Sequence, residues 1–410
     1  MKRRLCIVCL CLLVAGGLRA EEGEFMKFMY RVGLWLDDLA LKGLDTAYVT
    51  IPEFTWRVAL TNSEVGIHST FIAENADTEI GRVQLESVTT PSLDLGFNIG
   101  LRTFGFGYSW DALNAYAQKL NLSMGGKSWG VEFSRQKSTN INASIRLLDL
   151  EDKPTPIPLG KIGDVWITNM NVSAWYAFNA HHYSHYAAVK QSYIQRRTAG
   201  SLLINLSYLN TDLSLGNDTS WYGLVPVLMG GVREMVTHQV AAGAGYGINY
   251  TPNRGKFLLH ASAMAQVVFY TVNYISYDAP DEKFDFAYPS YTIRPTKPVH
   301  FTGTMRLAMS WEINKWVHLG ANAQVNNIRF QAKAKEGLAE LNNWNWQANL
   351  AVGVRLGVGR DRINRALGIE PADNTQQLEE KSHQPEQTDG KKLFQLPQWV
   401  TDYFFSSRQP

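Results

Sequence analysis

The sequence predicts an all-β protein: an antiparallel transmembrane β-barrel of 12 to 14 strands, with a short N-terminal amphipathic helix and a flexible C-terminal tail. Three observations lead there. Apolar and polar side chains alternate along much of the 410-residue chain, and an export signal stands at its start. After that signal no apolar run approaches the ~20 residues that a membrane-spanning helix needs, so a spanning mature chain has to cross with strands.

At the N-terminus Lys2, Arg3 and Arg4 precede the apolar run Leu5 to Val14, followed by small residues and a cleavage position after Ala20. Residues 1–20 read as a cleaved signal peptide. All three cysteines, Cys6, Cys9 and Cys11, leave with it, which excludes a disulfide scaffold and a thiolate metal site in the mature chain. Residues 21–44 read as a periplasmic amphipathic helix: Phe25, Phe28, Met29, Val32, Trp35, Leu36 and Leu39 fall at helical spacing, with Lys27, Arg31, Asp37 and Asp38 elsewhere on the wheel. Such a helix can pack against the inner rim or mouth of the barrel, or plug the lumen.

Residues 45–360 carry the alternation. In the stretch Ser92 to Asp111, Leu93, Leu95, Phe97, Ile99 and Leu101 share one face of a strand and Asp94, Gly96, Asn98 and Gly100 the other; Phe104, Phe106, Tyr108 and Trp110 repeat the pattern after a turn at Arg102 and Thr103. Trp344 to Val358 alternates in the same way, as does Val240 to Tyr250. Further candidate strands are Phe54 to Leu60, Val65 to Ile72, Lys119 to Gly125, Trp129 to Gln136, Asn171 to Phe178, Ser201 to Tyr208, Phe257 to Tyr270, Thr302 to Ile313 and Trp316 to Phe330. Many of these end in aromatic residues, as an interfacial girdle requires.

The connections also alternate. Short turns are expected at Thr61 to Glu64, Arg102 and Thr103, Gly125 to Ser128, Thr251 to Gly255, and Asn314 with Lys315; longer polar segments are expected at Ser138 to Asp164, Asn210 to Glu234, Asn273 to His300 and Ala332 to Asn343. Short periplasmic turns and long outer loops give this rhythm. Thirteen candidates make an odd count, whereas single-chain bacterial barrels are even, so either Ala47 to Ile51 adds a strand or the Phe54 segment stays outside the wall. Residues 361–410 read as a polar linker and periplasmic tail: Pro371 to Lys392 is almost wholly polar, and Leu393 to Phe405 is aromatic but interrupted by Pro397.

The motifs "DTAYVTIP" (Asp45 to Pro52), "LGFNIGLRTFGFGYSWD" (Leu95 to Asp111), "GKSWGVEFSRQ" (Gly126 to Gln136) and "QRRTAGSLLINLSY" (Gln195 to Tyr208), with the closing alternating strand, occur in this order over Asp45 to Arg360. In them the chain resembles the Bacteroidetes outer-membrane β-barrel family labelled domain of unknown function 4421. The resemblance implies an outer-membrane barrel and brings no ligand, reaction or catalytic residue. Terminal aromatics that close the last strand are usual in such barrels, and the extended tail departs from that ending.

Composition excludes some functions. With a formal net charge of +2 and basic residues scattered along the chain, the electrostatic footprint of a nucleic-acid binder is missing. There is no His-Glu-x-x-His, and no third glycine follows Gly105 and Gly107. Gly243, Gly245 and Gly247 read as small lumen-facing positions. In "HHYSHY", His181 and His185 would face one way on a helix, but they fall between two strands and read as a water-exposed polar turn, with a transition-metal site as the alternative. No cofactor and no catalytic residue is identified.

Alternation turns seven titratable residues inward: Asp94, Glu132, His260, Arg306, Glu312, His318 and Arg355. They are either a paired network that fills a narrow barrel or the lining of a solute pathway or ligand site. On the last strand Val352 and Val354 should face lipid and Gly353 and Arg355 the lumen, so that Arg at Val354 costs several times what Gln at Arg355 costs. The function expected is that of a structural, solute-passage or ligand-binding barrel in the outer membrane of a Gram-negative cell, both termini periplasmic. Its partners are outer-membrane lipid and the export and barrel-assembly machinery, its ligand class a small solute or lipid. The alternative is a barrel-borne hydrolase acting on lipid or cell-envelope substrate, since Ser and His on neighbouring strands can meet in space without a sequence motif.

Overall fold

A strand whose alternate side chains differ in polarity needs different surroundings on its two faces, and here twelve such strands close on one another. The computed structural model describes five helical positions between residues 31 and 38 and most of residues 42–357; the longest stretches outside the described residues are 1–30, 215–231, 278–290 and 358–410. The expected signal peptide, polar linker and aromatic tail therefore lie outside them. In chain order the first nine strands are β1 (Val49–Thr50), β2 (Trp56–Asn75), β3 (Gly81–Thr89), β4 (Asp94–Leu101), β5 (Phe104–Asp111), β6 (Ala117–Gly125), β7 (Trp129–Ser138), β8 (Ile141–Leu147) and β9 (Ile157–Ile162). The rest are β10 (Trp166–Ala177), β11 (Ile194–Gln195), β12 (Ala199–Ser214), β13 (Val232–Tyr250), β14 (Phe257–Tyr277), β15 (Tyr291–Ile293), β16 (His300–Glu312), β17 (Val317–Ala334) and β18 (Gly337–Leu356).

The wall runs β2-β4-β5-β6-β7-β10-β12-β13-β14-β16-β17-β18, every pair antiparallel, and returns to its start through β18 and β2, paired from Ala339↔Ala73 to Leu356↔Trp56. Twelve strands is the lower of the two counts expected. At one end, the short-turn end, β4 passes to β5 through Arg102 and Thr103 alone, and both chain ends of the barrel emerge there. At the other, the long-loop end, β2 continues past the start of β4 and pairs instead with β3 over His68–Asn75, so that β3, β8 and β9 extend the wall as a projecting flap.

Three expectations about the connections are corrected. Thr61 to Glu64 is no turn: these residues lie within the 20-residue strand β2 and pair with Ala351 to Ala348 on one side, Thr61 to Ser63 also with Gly96 to Asp94 on the other. Pairing on both edges overrides the turn propensity of Asn and Ser, and two expected strands become one. Ala332 to Asn343 is no loop either, because β17 and β18 run on as a hairpin to Ala334 and Gly337. Its polar composition suits cross-strand pairs, with Arg329 donating to Glu340 at 2.8 Å and Asn327 to Asn342 at 2.8 Å. Finally, the Ala47 to Ile51 segment adds no wall strand; β1 pairs with β11 as a separate ribbon.

The barrel is apolar outside and polar inside, the reverse of a soluble fold. Leu60, Leu307 and Leu350 on the outer face are 72%, 62% and 62% exposed, while Asp94, Asn249 and His318 on the inner face are 0% exposed. Among the described residues no helix is long and apolar enough to cross a membrane.

Candidate functional site

The connection between β10 and β12, residues 178–198, folds back into the lumen at the short-turn end. This corrects the water-exposed turn expected for "HHYSHY". Its core is a short helix, His185–Val189, in which His185, Tyr186, Ala187 and Ala188 are buried. Together with Tyr183 and Tyr193, these residues meet Trp175, Leu203, Leu258 and Ala308 of the wall and Val49 of β1 in one apolar cluster. Two wall glycines make room for it. A Cβ on Gly247 would lie 2.2 Å from the Tyr183 hydroxyl and one on Gly130 2.4 Å from that of Tyr186, so the hydroxyl end of each tyrosine rests against bare backbone. Gln195 ties the segment together: its Oε1 accepts from the Ser184 amide and from Asn249 Nδ2, both at 3.0 Å, and its Nε2 donates to the His182 carbonyl at 2.6 Å.

The described positions of the N-terminal helix meet the rim beside this plug. Arg102, in the β4–β5 turn with φ 49°, donates through Nη2 to Asp37 at 2.6 Å and through Nη1 to the Pro52 carbonyl at 2.6 Å. Asp37, placed by sequence on the polar side of the helix, is thus buried by its ion pair. Among the described residues, the segment in the lumen is 178–198.

Of the seven candidates, six fall in three groups and Asp94 stands apart from them. Glu132 and Arg306 stand on β7 and β16, five strands apart around the wall, and their side chains meet across it at 2.8 Å. Arg306 also donates to Gln324 Oε1 at 2.7 Å and to His185 Nε2 of the plug at 3.1 Å. Burial, with His260 and Arg306 adding to it, holds the His185 imidazole well below its ordinary pKa. The ring is therefore neutral, and Nδ1–H remains to donate to the Tyr183 oxygen at 3.1 Å.

Arg355 and Glu312 form the second group, a two-pronged pair with Nη2 to Oε1 at 2.6 Å. His318 lies between their strands over Gly353, where any Cβ would strike the imidazole. Among the described residues neither ring nitrogen of His318 has a hydrogen-bond partner. Asp94 is buried at the start of β4.

His260 belongs to the third group. Asn249 Nδ2 donates to the Ser184 carbonyl at 2.8 Å and to Gln195, which leaves Asn249 Oδ1 to accept from His260 Nδ1 at 2.8 Å. His260 Nε2 then carries the lone pair and accepts from the Ser262 hydroxyl at 3.1 Å. This order of nucleophile, base and orienting amide is the one acyl transfer uses, but it is covered by the plug, with the His185 ring 5.1 Å from that of His260.

Against the plug lies a cavity of about 110 Å³. The plug contributes Val189, Lys190 and Gln191 to it, and the walls contribute Arg57, Lys119, Glu132 and Arg306 with many amides. Side chains also cross the barrel toward the long-loop end: Asn343 on β18 donates to Asn169 on β10 at 3.1 Å, between strands six apart in a wall of twelve. Sequence reasoning missed Arg57, Lys119, Lys190, Asn249 and Gln195. Arg57 and Lys119 were within reach, since they share the inward parity of Ala59 and Asn121. Lys190 and Gln195 lie in a segment without strand periodicity. Among the described residues no three metal-ligating side chains converge.

A search of curated proteins finds no match. Among solved structures, the outer membrane protease OmpT from Escherichia coli aligns with 75% of this chain and 98% of its own at 8% identity and a TM-score of 0.37. The translocator domain of autotransporter NalP from Neisseria meningitidis aligns with 80% and 96% at 14% identity and a TM-score of 0.30. The outer membrane protein OprG from Pseudomonas aeruginosa aligns with 75% and 100% at 9% identity and a TM-score of 0.27. At the family level the match covers residues 43–356, which include every strand of the wall, and the chain belongs to the family described as domain of unknown function DUF4421.

Proposed function

We propose that this protein is an outer-membrane barrel that holds a small polar solute in a closed lumenal chamber, and that it is not an open diffusion pore. The carrying observation is the cavity of about 110 Å³ lined by Val189, Lys190 and Gln191 of the plug and by Glu132 and Arg306, whose side chains meet across the barrel. The apolar exterior supports insertion among outer-membrane lipids, and the signal-like N-terminus supports export and delivery to the barrel-assembly machinery. Short turns at the end where both barrel termini emerge support a periplasmic short-turn end. In planar bilayers the wild-type protein should show no steady open-pore conductance, and replacing residues 180–191 by a Gly-Ser linker should produce discrete channel openings. A wild-type protein that conducts like a general porin overturns the reading.

The Ser262–His260–Asn249 chain supports a second reading, acyl transfer on an ester of the envelope. His260 would take the Ser262 proton as Oγ attacks the carbonyl carbon and return it to the leaving alkoxide, after which water releases the acyl group as the acid. Substrate reaches Ser262 only if the plug withdraws. A fluorophosphonate probe should then modify Ser262, at least in the linker variant; the absence of any adduct in both proteins ends this reading.

A further inference from the structure

The cavity against the plug carries an imbalance of charge. Of its cationic groups, Arg306 is paired with Glu132. Among the described residues the others have no carboxylate at salt-bridge distance: Arg57 donates to Ser192 Oγ at 3.4 Å, Lys119 to Gln347 Oε1, and the Lys190 ammonium makes no side-chain hydrogen bond. Glu312, near Arg57, is already held in a two-pronged pair by Arg355. Taken together, the lumenal cations Arg57, Lys119, Lys190, Arg306 and Arg355 outnumber by one the carboxylates Asp94, Asp111, Glu132 and Glu312.

Charge withdrawn from water is costly unless something compensates it. Burial lowers the pKa of Lys190, and Arg306 and Arg57 add to that against the opposing pull of Glu132. The amides of Asn98, Asn121 and Asn322 line the same space and can donate to an oxygen but cannot neutralise a cation. A cavity of about 110 Å³ takes several waters or one small ion.

We propose that the chamber binds one small oxyanion, a phosphate or a carboxylate, held between Lys190 of the plug and Lys119 and Arg57 of the wall. This rests on the chamber reading given above and names its ligand class. The anion would supply the missing counter-charge and link the plug electrostatically to two wall strands, so that occupancy holds the plug in place.

The test uses the full mature chain folded in detergent, with inorganic phosphate, acetate and uncharged glycerol titrated separately by calorimetry and by thermal unfolding. Saturable binding of phosphate or acetate should appear, weaken as sodium chloride is raised, and fall by about tenfold or more in Lys190→Gln, the loss of one hydrogen bond to a charged group. Lys119→Gln should act in the same direction; if that variant fails to fold, Lys190→Gln, on the plug and outside the wall, carries the test. Phosphatidylglycerol in mixed micelles distinguishes the sources: if it displaces phosphate, the oxyanion belongs to a lipid headgroup, and if it does not, to a free solute. Saturable glycerol binding without binding of either anion overturns the oxyanion site while leaving the chamber intact. No binding of any probe, with wild-type conductance like an open pore, overturns both.

Discussion

The lumen is blocked at two levels by different physics. At the short-turn end a folded segment packs tyrosine and alanine side chains against wall positions such as Trp175, Leu203 and Leu258. Against it the barrel is crossed by the Glu132–Arg306 ion pair and, further toward the long-loop end, by the amides of Asn343 and Asn169. Apolar packing is graded, because a lost methyl group costs only its own contacts. A buried ion pair is all or nothing, since removing one partner strands the other. The two levels should therefore fail in different ways.

The largest effect is expected at the polar level. Arg306→Met leaves Glu132 without its partner and should destabilise the barrel by about 3 to 5 kcal/mol, measured by urea unfolding in detergent. The double variant Arg306→Met, Glu132→Leu should recover most of that loss. If the double variant is no better than the single one, the pair does not govern this level.

Arg355→Gln should follow closely, because Glu312 would lose both of its hydrogen bonds, again about 3 to 5 kcal/mol. Val354→Arg should cost about 1 kcal/mol or less, since Val354 lies two residues from the end of β18, where an outward cation reaches the interface. This reverses the ranking expected from sequence, which treated Arg355 as part of a tolerant lumenal network. Equal losses in the two variants would contradict either the register of β18 or the pair.

A smaller but more specific effect is expected at the apolar level. Gly247→Leu puts a side chain where the Tyr183 hydroxyl sits and should cost about 1 to 3 kcal/mol by overpacking. Its signature is functional: the displaced plug should give bilayer conductance that Arg306→Met does not. The smallest effect belongs outside both levels. Arg82 and Asp149 pair at 2.7 Å on the solvent-exposed flap, and Arg82→Ala should leave unfolding unchanged.

What the sequence made legible follows from distance along the chain. The facing of Leu95, Asp94, Val354 and Arg355 depends on a two-residue period and could be read locally. The strand count could not, because the polar run Thr61 to Glu64 resembles a turn until its partners on β4 and β18 are known. Inward charges were recognisable one by one, but not as pairs: Glu132 and Arg306 are 174 residues apart. The plug was hidden for another reason. Its histidines and tyrosines look solvent-compatible by type, and only the glycines opposite them, on strands far away in sequence, reveal that the rings are buried.

The seam between β18 and β2 also bears on how the molecule is made. Eighteen residues of β2 wait for partners between Ala339 and Leu356, which belong to the last wall strand to be synthesised. Until then, one edge of the first wall strand presents unpaired amides and carbonyls, the kind of edge that recruits foreign strands. Local hairpins such as β4–β5 can zip early, but ring closure is the most remote contact in the wall and carries its loop-entropy cost at the final step. Truncation before residue 356 would therefore yield an open, adhesive sheet instead of a slightly weaker barrel, and an escort that shields the β2 edge during synthesis is a physical requirement of this topology.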